Sequence, residues 1–100
     1  MIRIKVLNNN NYVKQIVIEG HALYDEYGKD IVCAAVSATY LCTVNAILTI
    51  NKDSIKVTSS DDVQMIDVLI EDEIIEKLLN NMVRCLKSLE QKYPNNIKIK

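Results

Sequence analysis

Two side chains in the first third of the chain have the types that nucleophilic chemistry needs: the only histidine, His21, and, twelve positions later, Cys33. A cysteine attacks as its thiolate, so it must sit beside a base or in a positive field. Imidazole, with an unperturbed pKa of about 6.5, suits the role of that base near neutral pH. Asp30 is a strong N-cap type, and its position puts Cys33 in the first turn of the helix that follows. Backbone N–H groups there lack intrahelical acceptors and carry the positive end of the helix dipole. They are expected to favour a thiolate and to receive the oxyanion formed when sulfur attacks a peptide carbonyl. Ala34 and Ala35 leave room for a substrate backbone. The plainer alternative makes Cys33 a small core residue among alanines and valines, and His21 a surface loop histidine.

The flanking residues extend the chemical reading. Asp30, besides capping the helix, has a second possible role in orienting His21 or stabilising its imidazolium, which would complete a Cys-His-acid set. Ser37 lies one helical turn after Cys33 on the same face, where its hydroxyl either bonds back to the Cys33 carbonyl or contacts substrate. Gly20 and Gly28 give the intervening loop a flexible residue at each edge, as a movable lid requires. Such a lid would hold His21 away from Cys33 until substrate binds. An activated Cys33 is expected to react with iodoacetamide below about pH 7, ahead of Cys42 and Cys85, both read as core residues on helix interiors.

The elements that must position these groups follow from hydrophobic periodicity. Ile2, Ile4 and Val6 alternate with Arg3 and Lys5, the period of a half-buried strand. A turn at Asn8–Asn11 leads into a second strand over Tyr12–Glu19. The loop from Gly20 to Lys29 follows, longer than a routine connection of about 4–6 residues. A helix is expected from Ile31 to about Leu48. It has no charged face, so its far side would be covered by the second helix or by a partner subunit. Ile55 and Val57 mark a third strand, and Val63–Ile70 a fourth. Ile75, Leu78, Leu79, Met82, Leu86 and Leu89 trace an amphipathic helix that Pro94 ends. Ile97 and Ile99 give a last strand. The order ββαββαβ specifies an α/β two-layer sandwich, with two helices on a mostly antiparallel or mixed sheet, over a single domain of residues 1–100.

Composition narrows the function classes. Hydrophobic residues are 49% of the 100 and charged residues 25%, a globular balance. Twelve basic residues against thirteen acidic ones, with no basic run, argue against a direct nucleic-acid partner. Met1–Val6 alternates and is not an apolar block, so no signal peptide is expected, and no window is read as a membrane span. Three unpaired cysteines then read as free thiols in a reducing compartment, with the cytoplasm the expected location. One histidine and scattered cysteines lack the close ligand pairs of a zinc site, so no metal and no cofactor are expected.

Gly20-His21-Ala22, then Gly28, then the nine-residue block Asp30-Ile31-Val32-Cys33-Ala34-Ala35-Val36-Ser37-Ala38 resembles the ribosomal-processing cysteine protease family of Firmicutes and related bacteria. The resemblance covers essentially the whole chain in length and element order, and it implies the following. Members are cytoplasmic homodimers that remove an N-terminal extension from a large-subunit ribosomal protein, cutting after phenylalanine, a step needed for ribosome maturation. His21 stands at the catalytic histidine and Cys33 at the nucleophile. Gly20, Asp30 and Ser37 fall on positions the family also depends on, whereas Leu23 and Asp25 replace small residues of the loop. The competing expectation is a non-catalytic ribosome-assembly module in which the loop binds a ribosomal protein and Cys33 only packs.

Overall fold

The structure is a computed structural model describing residues 1–26 and 29–100. The expected hairpin forms first: β1 (Ile2–Asn9) pairs antiparallel with β2 (Tyr12–Glu19), which buries Ile2, Ile4, Val13, Ile16 and Ile18 on one face. The turn is tighter than the asparagine run suggested, because Asn10 and Asn11 alone take positive φ, 52° and 68°. Two consecutive positive φ values are the signature of a two-residue hairpin turn whose twist matches the strands, and asparagine tolerates them. The register slips between Leu7 and Asn8, at a bulge. The Val13 N–H beside it donates to both carboxylate oxygens of Glu76, at 2.9 and 3.0 Å.

β4 (Val63–Val68) joins the free edge of β2, and β3 (Ile55–Ser59) joins β4, both antiparallel. β5 (Ile97–Ile99) lies parallel to β1, which gives the mixed order β3-β4-β2-β1-β5. The chain order is ββαββαβ, as the periodicity predicts. β4 stops two residues short of the expected Ile70, and Leu69 and Ile70 are exposed. Both helices pack into one core with the buried sheet face.

α1 (Ile31–Ile50) buries a single stripe, Val32, Val36, Tyr40, Val44 and Ile47, and α2 (Glu73–Lys92) buries Ile75, Leu79, Met82 and Leu86. Two expectations fail here. Cys42 and Cys85 are exposed, because each lies off its helix's inward stripe; apolar neighbours in sequence do not make a core position when the helix turns 100° per residue. α1 is also apolar and long enough, by length and composition, to cross a membrane, contrary to the reading that no window qualifies. Asn45, Ser37 and three threonines interrupt it, and in this fold its inward stripe forms part of the core.

Candidate active site

The end of β2 is bolted in place before it reaches His21. Glu19 pairs with Val63, and the next N–H, that of Gly20, donates to the Asp62 carbonyl at 2.9 Å. Gly20 has φ +89°, and a Cβ there would lie 2.5 Å from the Met1 carbonyl oxygen. Only glycine meets both conditions, so this residue serves close approach and a left-handed bend. The expectation of a hinge at Gly20 is therefore corrected: its backbone is hydrogen-bonded and crowded. Gly28, the other expected hinge, lies outside the described residues.

After His21 the chain turns inward. Ala22 is buried; its N–H points at the Cys33 Sγ, at 3.3 Å, and its carbonyl accepts from the Asn96 side-chain amide at 2.9 Å. Leu23 then takes φ +56° and exposes its side chain. The Tyr24 N–H donates to Asp30 Oδ2 at 3.0 Å, and the Tyr24 ring meets Tyr93 edge-on, centroids 5.4 Å apart. The loop thus docks on the first turn of α1 and on the corner between α2 and β5.

Asp30 caps α1 as expected, its Oδ1 accepting from the N–H groups of Val32 at 3.0 Å and Cys33 at 2.9 Å. Partial burial alone would raise its pKa, but the N–H groups of Cys33 and Tyr24 outweigh that and hold the carboxyl below its ordinary value. Both oxygens are engaged by backbone. This corrects two expectations. Asp30 makes no bond to His21, and the first-turn N–H groups of Val32 and Cys33 are already satisfied by the cap and so are not open to an oxyanion. The Cys33 thiol is half-buried and is pushed up from its ordinary pKa, first by desolvation and then by the Asp30 carboxylate, against the lowering effect of the Ala22 N–H. Both causes favour the thiol over the thiolate, the reverse of the sequence expectation, with desolvation the larger and the cap carboxylate beside the helix end the next.

His21 finds a different acid. Its Nε2 lies 2.7 Å from Asp62 Oδ1, and no hydrogen bond joins it to Cys33 among the described residues. The sequence patterns single out no role for Asp62, just before β4; the signal that would find it is the pairing of β2 with β4, which brings together His21 and Asp62 from 41 residues apart. Gly20, His21, Asp30, Cys33, Ser37 and Asp62 all line one cleft of about 590 Å³. Ser37 is exposed there and, among the described residues, makes no bond back to the Cys33 carbonyl, unlike Thr39, Thr43 and Thr49, which do bond back along α1. A smaller hollow of about 250 Å³ shares Ile18, Val36, Ser37 and Gln64 with the first and continues along α1 to Tyr40 and Leu41. Together they form a largely apolar groove with Cys33 and His21 at one end, open to a peptide.

Comparison with known proteins points the same way. The chain is 29% identical to the ribosomal processing cysteine protease Prp of Staphylococcus aureus, over 93% of this chain and 91% of that protein. The crystal structure of that protease with a covalently linked product peptide superposes with a TM-score of 0.94, covering 100% of this chain and 98% of the other, at 29% identity. The same protease with a substrate peptide gives 0.88 at 28% identity, with the same coverage. A Streptococcus mutans protein gives 0.86 at 26% identity, covering 100% of this chain and 92% of that one. The family described as cysteine protease Prp matches residues 1–98. A match of that extent, on a fold that brings His21 and Cys33 to one cleft, favours the enzyme over the non-catalytic module: the chain belongs to the cysteine protease Prp family and is a cysteine protease.

Proposed function

We propose that the protein removes the N-terminal extension of a large-subunit ribosomal protein, with Cys33 as nucleophile and His21 as general base and acid. The observation that carries this reading is the contact between Ala22 N–H and Cys33 Sγ: the residue next to the histidine touches the sulfur. Imidazole takes the thiol proton, and sulfur adds to the scissile carbonyl carbon. The imidazolium returns the proton to the leaving amine as the C–N bond breaks, leaving a thioester. Water, deprotonated by the same imidazole, hydrolyses the thioester, releasing a carboxylic acid and restoring the thiol. We assign the Ala22 N–H, which lies beside the sulfur, to the oxyanion that forms on attack.

The substrate assignment rests on the family match and on the S. aureus relative, named for ribosomal processing and crystallised with peptides. The cleft also carries Asp25, Asp30, Asp61 and Asp62 and no lysine or arginine among its described residues, which complements the basic arms of RNA-binding ribosomal proteins. Ser37, Gly20 and Asp30 support the site: Ser37 facing substrate, Gly20 setting the His21 backbone, Asp30 holding the helix start and the loop together. We also assign a homodimer in the cytoplasm. The dimer is supported by α1, which carries no charged side chain and leaves Ile31 and Leu41 more than half exposed, away from its buried stripe. The test is cleavage of a peptide spanning the extension by wild type, Cys33→Ala and His21→Ala. Loss of cleavage in both variants is expected; equal cleavage by all three ends the proposal.

A further inference from the structure

Asp30 has the sequence position of a third catalytic member, yet both its oxygens bond to backbone N–H groups. Across the cleft, one carboxylate does touch the imidazole: Asp62 Oδ1, 2.7 Å from His21 Nε2. Its placement follows from strand pairing. Glu19 and Val63 face each other in the β2–β4 ladder, and the Gly20 N–H to Asp62 carbonyl bond carries that pairing one step further. The backbone that bears the base and the backbone that bears the acid are therefore one rigid unit, set by the sheet. The contact is a side-chain bond of two exposed groups, 60% and 70% accessible, so it adds little to the stability of the empty protein. A bound peptide would cover the cleft and strengthen the pair by excluding water.

We infer that Asp62 is a positioning residue for His21, bonding Nε2 so that this nitrogen keeps its proton and Nδ1 is left as the acceptor for the Cys33 thiol. When Nδ1 takes that proton, the imidazolium carries N–H on both nitrogens, and the Asp62 carboxylate stabilises the new charge without itself being protonated. When Nδ1 returns the proton to the leaving amine, the ring is neutral again with the same tautomer. Asparagine at this position keeps the size of the side chain and loses the charge. Its amide can also present an N–H, which would select the opposite tautomer and occupy Nδ1 with the proton that must be absent.

The inference rests on the Cys33–His21 reading, and the experiment separates the two. Steady-state cleavage of the extension peptide is measured for wild type, Asp62→Asn, Asp62→Ala, Cys33→Ala and His21→Ala. Both Asp62 variants are expected to lower kcat by about tenfold or more with KM unchanged within about twofold, since positioning a base acts on the chemical step. Their thermal midpoints should match wild type, because the Gly20 to Asp62 bond is made by backbone and survives the substitution. Unchanged kcat overturns the inference. So does a rise in kcat, which would make the pair a resting latch, or a KM increase as large as the kcat loss, which would make Asp62 a substrate contact. If Cys33→Ala and His21→Ala are inactive while Asp62→Asn runs at the wild-type rate, only this inference falls; if those two variants cleave normally, the dyad falls first.

Discussion

The two helices are the same length and start the same way, yet they obey different rules. Each has twenty residues and an aspartate N-cap whose Oδ1 accepts from two successive N–H groups. α2 then follows the electrostatics of a stable surface helix, with Glu73 and Glu76 in its first turn and Lys92 in its last. Two of its glutamates also reach the sheet: Glu76 satisfies the Val13 N–H at the bulge, and Glu90 accepts from Ile99 N–H at 2.9 Å. α1 has no acid in its first turn, no base in its last and an uncharged outer face. A stability argument explains α2 completely and leaves α1 unexplained. The difference makes sense if α1 is shaped by its N-terminus: any further carboxylate beside Cys33 would oppose the thiolate that the reaction requires.

The largest test of that contrast is packing. Leu79, fully buried on α2, should cost about 2–5 kcal/mol when replaced by alanine, read by denaturant unfolding. Leu41 on α1 is 54% exposed, and Leu41→Ala should cost less than about 0.5 kcal/mol in the folded monomer. Leu41→Glu should then report on the outer face by size-exclusion chromatography, shifting a dimer toward monomer. A leucine at 41 as costly as the one at 79 in the monomer would mean that the outer face of α1 is core after all, and the contrast would be lost.

Most of the scaffold could be read from local patterns because the patterns were local causes. Alternation at Ile2–Val6, the stripe from Ile75 to Leu86 and the Asp30 cap each act within a few residues, and the structure realises all three. Cys33 and His21 were visible because their types are scarce: one histidine, and one cysteine behind a cap. What escaped was set by contacts between distant segments. Asp62 gains its place from the β2–β4 ladder, and Gly20 is needed because the Met1 carbonyl crowds it, neither of which any window around residue 20 contains. The raised Cys33 pKa escaped for a related reason. Burial of the thiol in the folded cleft is its first cause and the cap carboxylate beside it the next, and neither follows from the helix dipole.

Cap removal gives an effect of intermediate size. Asp30→Ala and Asp72→Ala should each lose about 1 kcal/mol of stability, since each cap satisfies two N–H groups. Peptide cleavage should separate them. Asp72→Ala is expected to keep its kcat, because α2 contributes nothing to the described cleft, whereas Asp30→Ala frees the loop at Tyr24 and should lower cleavage beyond its effect on stability. Equal activity in the two variants would show that Asp30 is a cap and nothing more.

The smallest effect is the most specific, because it isolates charge from capping. Asparagine caps helices as well as aspartate does, so Asp30→Asn keeps the α1 start while removing the negative charge beside Cys33, along with the Tyr24 N–H bond that Oδ2 accepts. Cys33 should react with iodoacetamide more slowly than the exposed Cys42 and Cys85 at about pH 7.5. Asp30→Asn should speed that reaction by about threefold to tenfold, the size expected for one partly screened charge. The stability signs are opposite for the two groups. Asp30's folded pKa lies below its ordinary 3.8, so its contribution is whole above that value and is lost as acid carries the pH through the lower folded value. Cys33's folded pKa lies above its ordinary 9.0, so its contribution is whole below pH 9.0 and is lost as alkali carries the pH through the higher folded value. Asp30→Asn should therefore erase the acid-side loss and shrink the alkaline-side loss, because the folded Cys33 value falls back toward 9.0. If alkylation of Cys33 is unaffected, the cap charge is not what restrains the thiol, and desolvation alone must account for it.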